Sequence, residues 1–185
     1  MARLLDGIVV LDFSRVLAGP FAAMLLAQLG ARVIKIEPPG GDEARGFGPF
    51  AGEHSLYFIG VNQGKAGLAL DLKQPQGLDL ARRLTERADV LLENFRPGTL
   101  DRLGLGYATL SARNPRLVYC SLSGFGQFGP RSAHGAYDVI IQAASGLMGL
   151  TGPEGGPPVR VGASVGDLIP ALYAVIGIVL SLIHI

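Results

Sequence analysis

Cysteine, histidine and tryptophan are scarce in this 185-residue sequence, which has one Cys, three His and no Trp. The single cysteine, Cys120, excludes an internal disulfide and a cysteine-rich metal site, and it fits a reducing compartment. Because it stands in an apolar predicted strand, we expect an inert core residue. His54, His134 and His184 have no partners at the spacing of metal ligands. The sequence therefore predicts no metal site.

An excess of charge of either sign is also lacking. Lys and Arg number 16 and Asp and Glu number 15, which gives a net charge of +1. A nucleic-acid partner or an anionic membrane surface is therefore not indicated. The N-terminus carries one arginine and then an aspartate before its first apolar run, unlike a secretory signal. We expect a cytoplasmic protein in which any anion site is local.

One long run has no formal charge, LIPALYAVIGIVLSLIHI at residues 168–185. A spanning helix needs about 17–25 residues, but a proline near the start and the lack of basic flanks argue against a span. We therefore expect a buried core helix and no membrane partner. Its end, LSLIHI at 180–185, resembles the translation of an adaptor used in sequencing libraries. We expect residues 180–185 to be a non-native tail and residues 1–179 to be the native part.

Apolar, β-branched segments alternate with helical segments along the chain. Strands are predicted at residues 7–14, 32–37, 67–72, 88–95 and 116–126, and helices within 15–31, 74–88 and 137–152. In the first helix, Pro20 suits the first turn and Gly30 suits the C-terminal stop. Residues 38–66, rich in Gly and Pro, are predicted to form a long functional loop. This pattern predicts an α/β fold with a Rossmann-like, mainly parallel sheet and helices on both faces.

The first βα turn, DFSRVLAGPF, lies where open α/β sheets bind ligands. It has one glycine followed by proline in place of G-x-G-x-x-G, so Glu37 alone does not indicate a dinucleotide site. Basic residues expected near this edge suit a ligand with several phosphates, or are solvated surface charges: Arg15, Lys65, Lys73, Arg96 and Arg102. Asn94 and Phe95 follow the fourth strand, where the ring either stacks on a purine or packs the loop.

Asp167 stands directly before the long apolar run. Its position suits a helix N-cap, with Pro170 in the first turn. A carboxylate at a helix N-terminus beside an apolar wall can also be held ionised and act as a covalent nucleophile. The two roles are compatible, because the helix dipole that favours a capping carboxylate also favours its ionised form.

Several blocks together resemble the family III coenzyme A transferases, over essentially residues 4–179. They include LDGIVVLDFSRVLAGPFAAMLLAQLGARVIKIEPPGGDEAR, ADVLLENFRPGTLDRLGLGY and GAYDVIIQAASGLMGLTGPEGGPPVRVGASVGDL. The resemblance implies an interlocked homodimer in which this chain is the N-terminal part of the large domain. The small domain and the C-terminal return to the large domain lie outside it. We therefore expect the isolated fragment to be inactive.

The resemblance also implies a mechanism. Asp167 would attack an acyl-CoA thioester to give a mixed anhydride, and freed CoA would then form an aspartyl-CoA thioester that a small carboxylic acid converts to a new acyl-CoA. CoA is thus a substrate, and no tightly bound cofactor is expected. The residues that match the family's CoA contacts are Leu17, Ala18, Leu70, Asp71, Leu72, Lys73, Asn94, Phe95, Arg96, Arg102, Tyr137 and Asp138. The family's adenine-side arginine is Pro38 here.

Two positions bear on the choice within the family. The racemases carry a histidine where this chain has Tyr137, and a phenol with a pKa near 10 is a poor base at neutral pH. Formyl-CoA transferases commonly have glutamine where this chain has Leu17. We therefore expect a transferase of the branch that uses succinyl-CoA and a dicarboxylate or similar acid. The alternatives are an α-methylacyl-CoA racemase and a noncatalytic CoA-binding or nucleotide-binding module.

Overall fold

The structure is a computed structural model and describes residues 3–184. The strands are β1 Val9–Asp12, β2 Arg32–Glu37, β3 Phe50–Ala51, β4 His54–Ser55, β5 Ala66–Ala69, β6 Val90–Glu93 and β7 Val118–Ser121. The helices are α1 Ala18–Gln28, α2 Leu56–Asn62, α3 Pro75–Thr85, α4 Thr99–Arg102, α5 Tyr107–Ser111, α6 Asp138–Ala144 and α7 Val165–Ile183. Short 3-10 helices occupy Glu43–Gly46 and Leu147–Leu150.

The main sheet has the order β5-β2-β1-β6-β7, and all of its pairings are parallel. The chain builds outward from β1 to β2 and β5, then crosses to the other side of β1 for β6 and β7. The strand order thus reverses beside β1, and open α/β sheets bind ligands outside the strand ends at such a point. The predicted fold class is confirmed.

Helices cover both faces of this sheet because side chains alternate along its strands. Val10 and Leu92 point to the layer of α1 and α7, whereas Leu11 and Leu91 point to the layer of α3, α4 and α5. All four are at most 1% exposed. The nearly continuous apolar strands are therefore explained by burial on both faces.

The first helix begins and ends as its sequence predicts. Pro20 lies in the first turn of α1, where its missing N–H removes no helical hydrogen bond. At the other end Gly30 has φ +113°, and the N–H groups of Gly30 and Ala31 donate to Ala27 and Leu26. This pair of bonds is a Schellman motif, which satisfies carbonyls that the helix leaves open.

Other boundaries differ from the sequence predictions. The predicted loop at 38–66 contains a 3-10 helix, the β3–β4 hairpin and α2. The predicted helix at 137–152 breaks at Gly146, whose φ is +82°, into α6 and a 3-10 helix. The helices α4 and α5 were not predicted. The strands predicted at 7–14, 67–72, 88–95 and 116–126 are shorter than predicted, and β2 has the predicted bounds.

Helix α7 is buried along one side and exposed along the other. Ala171, Ala174 and Ile178 face α1 and the sheet, whereas Tyr173 is 70% exposed and Ile176 is 52% exposed. The prediction of a buried core helix is therefore right for one side and wrong for the other. Among the helices of residues 3–184, α7 is also the one that is long and apolar enough to cross a membrane. Its last turn includes residues 180–183, so the predicted tail boundary stays a prediction.

Candidate active site

The carboxyl ends of β1 and β6 open into two adjoining cavities. We call the first the Asp167 cleft, and its volume is ≈ 260 Å³. It is lined by Arg15, Val16, Leu17, Ala18, Glu43, Asn94, Phe95, Arg96, Pro97, Ser123, Gly124, His134, Gly135, Ala136, Tyr137, Ile140 and Asp167. The cleft thus brings together predicted site residues from the β1–α1 turn, the β6 exit, the segment before α6 and the start of α7.

We call the second cavity the Pro38 pocket, and its volume is ≈ 390 Å³. It is lined by Phe13, Ser14, Arg15, Lys35, Ile36, Glu37, Pro38, Gly41, Asp42, Glu43, Leu70, Asp71, Leu72, Lys73, Phe95, Thr99 and Leu103. The predicted residues from Leu70 to Lys73 therefore lie together, after β5. They are in a different cavity from Asp167.

Three side chains belong to the walls of both cavities, namely Arg15, Glu43 and Phe95. The Arg15 guanidinium lies 5.5 Å from the centre of the Phe95 ring and pairs with Glu43 at 3.5 Å. Both charged side chains are about half exposed, so this ion pair is weak. The two cavities are therefore neighbours that share these three side chains as a common wall.

Asp167 lies in the first turn of α7 but does not cap the helix. The N-cap is Ser164, which makes α7 begin two residues before Asp167 and places Pro170 beyond the first turn. The predicted N-cap role is wrong because the helix starts earlier. Burial, together with the charge of nearby Asp138, raises the pKa of Asp167 to about 6. The expected gain from the helix dipole is thus outweighed, although most of the carboxylate is ionised at pH 7.

Asp138 supplies the capping interaction that Asp167 does not. It is buried, accepts the Gly166 N–H of α7 at 2.8 Å and accepts a hydrogen bond from Gln142 at 2.8 Å. A Cβ on Gly166 would lie 3.0 Å from the Asp138 carboxylate, so a glycine suits this close approach. Asp138 does not line the Asp167 cleft, and its predicted CoA contact stays a prediction.

Buried ion pairs lie beneath the β1–α1 turn. Lys35 pairs with Asp42 at 2.9 Å, and Lys65 pairs with Asp12 at 2.8 Å, with all four side chains at most 2% exposed. Lys65 is therefore a core cation, and the expectation that it meets a ligand phosphate is wrong. Burial lowers the pKa of Lys65, while the Asp12 charge opposes that shift. The sequence signal for this network is Lys35, a charged residue in the middle of the strand segment RVIKIE.

Glu37 faces the Pro38 pocket but is already engaged. It accepts two hydrogen bonds from Arg45, each 2.8 Å, and one from the Asp42 N–H. Burial tends to raise the pKa of Glu37, but these donors hold it below its usual value. Arg45 in turn stacks 3.8 Å from the centre of the Phe58 ring. These contacts do not favour a ribose-binding role for Glu37, in line with the missing glycine pattern.

The remaining predicted cations differ in position. Arg96 lines the Asp167 cleft and packs against Gly135, and Lys73 is exposed at the Pro38 pocket. Arg102 is exposed, donates to Thr99 at 3.2 Å and lines neither cavity. Arg96 and Lys73 are thus placed to meet a ligand in these cavities, whereas Arg102 is set apart.

Sequence reasoning missed some residues at these cavities. His134, weighed only as a metal ligand, lies in the wall of the Asp167 cleft, as does Glu43. Burial raises the pKa of Tyr57 and the charge of Asp167 raises it further, which places this phenol within electrostatic reach of the carboxylate. The Gly-rich segment before α6 was the available signal for His134, because loops at strand exits often carry function.

The remaining candidate groups do not add a second reactive centre. Within residues 3–184, no cluster of three metal-ligating side chains is found. Cys120 lies in β7, and burial raises the pKa of its thiol to about 11. That pKa keeps the thiol protonated at neutral pH, in agreement with the predicted inert residue.

Comparisons with known proteins agree with this geometry. The chain is 50% identical to acetyl-CoA:oxalate CoA-transferase of Acetobacter aceti over 96% of its length and 46% of that protein. It is 47% identical to human succinyl-CoA:glutarate CoA-transferase over 97% of its length and 42% of that protein. A CaiB/BaiF family protein from Brucella suis is 42% identical, with a TM-score of 0.95 over 100% of this chain and 50% of that structure.

The chain therefore spans about half the length of the curated relatives it matches. Its residues 5–185 match the sequence model of CoA-transferase family III. The match covers both cavities and the turn that carries Asp167. This chain belongs to the family III CoA-transferases.

Proposed function

We propose that the protein containing this chain is an acyl-CoA:carboxylate CoA-transferase with Asp167 as its nucleophile. The observation that carries the proposal is the position of Asp167 in a cleft that joins the Pro38 pocket through Arg15, Glu43 and Phe95. The nucleotide of CoA would occupy the Pro38 pocket, and the pantetheine arm would cross the junction toward Asp167. Lys73, Arg15 and Arg96 are the cations along that path.

The chemistry requires a carboxylate that is ionised yet poorly hydrated. The half-buried Asp167, with a pKa of about 6, meets both needs at neutral pH. Its oxygen would form a bond to the acyl carbon while the thioester C–S bond breaks, giving the anhydride and CoA thiolate. The thiolate would then attack the aspartyl carbonyl and release the first acid. A second acid would reverse both steps, so atoms and charge balance over the cycle.

The substrates are proposed from the relatives. Their names specify acetyl-CoA or succinyl-CoA as donor and oxalate or glutarate as acceptor. We propose a short acyl-CoA, such as succinyl-CoA, and a small carboxylic acid as acceptor. A further cavity of ≈ 120 Å³ adjoins Asp167 and has Leu122, Ile141 and Pro170 in its wall. Its size and apolar wall suit a short acyl chain beside the nucleophile.

We also propose that the whole protein is an interlocked homodimer and that this chain alone is inactive. The exposed apolar side of α7, with Tyr173 and Ile176, is the surface that additional protein would cover. Contiguous exposed apolar faces are typical of protein–protein contact surfaces. Turnover by the 185-residue chain would contradict the inactivity.

The test is detection of a covalent adduct on Asp167. The full reading frame that contains this chain is incubated with succinyl-CoA and quenched, and peptides are analysed by mass spectrometry for CoA-thioester or acyl adducts. We expect an adduct on Asp167 and none in Asp167→Ala. Asp79→Ala, which changes an exposed aspartate of α3, is the matched control and keeps the adduct. Turnover in Asp167→Ala would overturn the assignment.

Two alternatives predict different results. A racemase would bring solvent deuterium into the α-carbon of a 2-methylacyl-CoA, and the exposed Tyr137 at the cleft wall does not favour that reaction. A noncatalytic module would bind CoA equally well in Asp167→Asn and would form no adduct. Deuterium exchange or an unreactive binding protein would therefore displace the transferase proposal.

A further inference from the structure

The backbone of residues 14–16 is held by side chains, of which one is local and three are distant in sequence. The Ser14 N–H donates to Asp12 at 2.9 Å, and the Ser14 carbonyl accepts from Lys35 at 2.8 Å. The Val16 N–H donates to both oxygens of Asp42 at 3.3 Å. Since these partners lie on β1, β2 and the segment after β2, the turn takes its shape from the assembled fold.

Asn94 makes the most specific contact in this set. Its Oδ1 accepts the Arg15 N–H at 2.8 Å, and its Nδ2 donates to the Arg15 carbonyl at 2.8 Å. The two bonds join the segment after β6 to the β1–α1 turn at the carboxyl edge of the sheet. The side-chain oxygen and nitrogen of Asn94 are thus both bonded to the backbone of Arg15. Asn94 also lines the Asp167 cleft.

Val16 explains why such a clamp is needed. Its φ is +67°, a conformation that is unfavourable for an L residue and especially for a β-branched one. Left to its own preference, Val16 would return to negative φ and shift Leu17, which precedes α1 and lines the cleft. The bound backbone of Arg15 and Val16 opposes that change.

We propose that Asn94 is a positioning residue that, together with Asp42, keeps Val16 at positive φ and so preorganises the β1–α1 wall for CoA. The inference rests on the proposed function for its ligand, but the clamp itself is a property of the free protein. A binding-competent turn that is only partly populated would weaken the observed affinity by that fraction.

The test is a double-mutant cycle in this chain, with CoA affinity measured by isothermal titration calorimetry. Asn94→Ala should weaken CoA binding by about tenfold, because an unclamped valine rarely adopts positive φ. In the Val16→Gly background the same change should cost about threefold or less, since glycine adopts this conformation readily. Asn94→Asp, which keeps the acceptor for the Arg15 N–H, should fall between the parent and Asn94→Ala.

Equal losses in the two backgrounds would overturn the clamp and indicate a direct ligand contact by Asn94. No loss in either background would overturn it as well. Asn114→Ala is the matched control, because the Asn114 amide also bonds two backbone carbonyls, of Thr85 and Ala88, away from the cleft. It should leave CoA affinity unchanged.

A ligand-free measurement separates this inference from the proposed function. The intraresidue HN–Hα NOE of residue 16, measured by NMR in the parent chain and in Asn94→Ala, separates the two signs of φ, because the two protons lie closer together at positive φ. A weaker NOE in Asn94→Ala supports the clamp even if the parent chain binds no CoA, a result that would count against the proposed function alone. An unchanged NOE would overturn the clamp whatever the affinity.

Discussion

The β1–α1 turn and the α6–α7 region face each other across the Asp167 cleft, and their charges are compensated differently. Beneath the turn, Asp12 and Asp42 each pair with a buried lysine. Across the cleft, Asp138 and Asp167 have no cationic partner within residues 3–184, and Asp138 is satisfied by N–H donors. The first region is thus held by paired charge, whereas the second keeps a half-buried carboxylate, the proposed nucleophile, without a counter-ion.

The apolar surfaces of the two regions differ in the same way. Helix α1 has buried residues over most of its length, but α7 presents exposed Leu172, Tyr173 and Ile176. A well-buried wall therefore faces one whose outer side is exposed in this chain. We expect from this difference that the β1–α1 wall forms in this chain alone, whereas the α7 wall would be completed only by the proposed cover.

The largest effect on stability is expected from breaking the buried Lys65–Asp12 ion pair beneath the β1–α1 turn. Lys65→Met keeps most of the side-chain volume but leaves the fully buried Asp12 without its cation. The expected loss is about 3–5 kcal/mol in the free energy of unfolding, because an unpaired buried charge is costly. Urea denaturation followed by circular dichroism measures it.

The control is the surface pair of Arg113 and Glu86, whose side chains are 50% and 43% exposed. Arg113→Met should change the free energy of unfolding by less than about 1 kcal/mol. Similar losses for the two substitutions would mean that the buried pair contributes no more than a surface contact.

The next largest effect on stability is expected at α7, where truncating a buried and an exposed isoleucine should give different losses. Ile178→Ala, at a residue 1% exposed, should cost about 2–4 kcal/mol through lost burial and a cavity. Ile176→Ala, at a residue 52% exposed, should change the stability of this chain by about 0.5 kcal/mol or less. Thermal or urea unfolding of both variants measures the difference.

The same two substitutions test whether additional protein packs on the exposed side of α7 in the full protein, as proposed. In the full reading frame, Ile176→Ala should become distinctly destabilising, because the proposed dimer would bury that residue. A small effect in both the short chain and the full protein would leave the exposed face without a partner and would count against the interlocked dimer.

A smaller effect on stability is expected from removing the unpaired charge of Asp167. Asp167→Asn should stabilise the chain by about 1 kcal/mol at pH 7.5, a value reduced for solvent screening of a half-buried group. Because burial raises the folded pKa of Asp167 to about 6, the parent loses stability relative to the variant as pH rises from about 4 to 6. Below that range Asp167 is protonated in both states, so the two proteins should unfold alike.

Urea midpoints at pH 4, 5, 6 and 7.5 test this sign. A constant difference across the series would mean that the asparagine acts by packing and that the Asp167 pKa is close to ordinary. The proposed nucleophile carries a matching expectation, since adduct formation should rise with pH through about 6 and then level off.

Sequence patterns predict the regions of this fold that local chemistry determines. The alternation in RVIKIE predicts β2 with its observed bounds, and Pro20 and Gly30 predict the ends of α1. The pattern does not give the partner of Lys35, because Asp42 lies on a separate segment that folding brings to the strand. Long-range ion pairing of this kind has no sequence period.

The composition of the site stays a prediction, although the placement of its residues can be compared with the structure. The resemblance to a family gathers Leu17, Phe95 and Asp167, and the structure brings these three into one cleft. The N-cap prediction for Asp167 failed because α7 begins two residues earlier, and Asp138, distant in sequence, accepts the Gly166 N–H at its start. Likewise, nothing local in the sequence indicates that Val16 adopts positive φ, and the side chains that bond the backbone around it, Asn94 and Asp42, are distant in sequence.

The smallest effect concerns the Pro38 pocket alone. Pro38 lines the pocket together with Lys73 and Phe95, and the resemblance to the family implies an adenine-side arginine at this position. Pro38→Arg should strengthen CoA binding by about threefold, because one added cation at an exposed rim contributes about 0.2–1 kcal/mol toward a nucleotide phosphate or a ring face.

The gain should shrink at high salt, and pantetheine, which lacks the nucleotide, should bind equally to both proteins. Titration calorimetry with the two ligands measures the contrast. An equal gain for pantetheine would place the pantetheine arm, instead of the nucleotide, beside residue 38, and the proposed direction of CoA across the junction would have to be reversed.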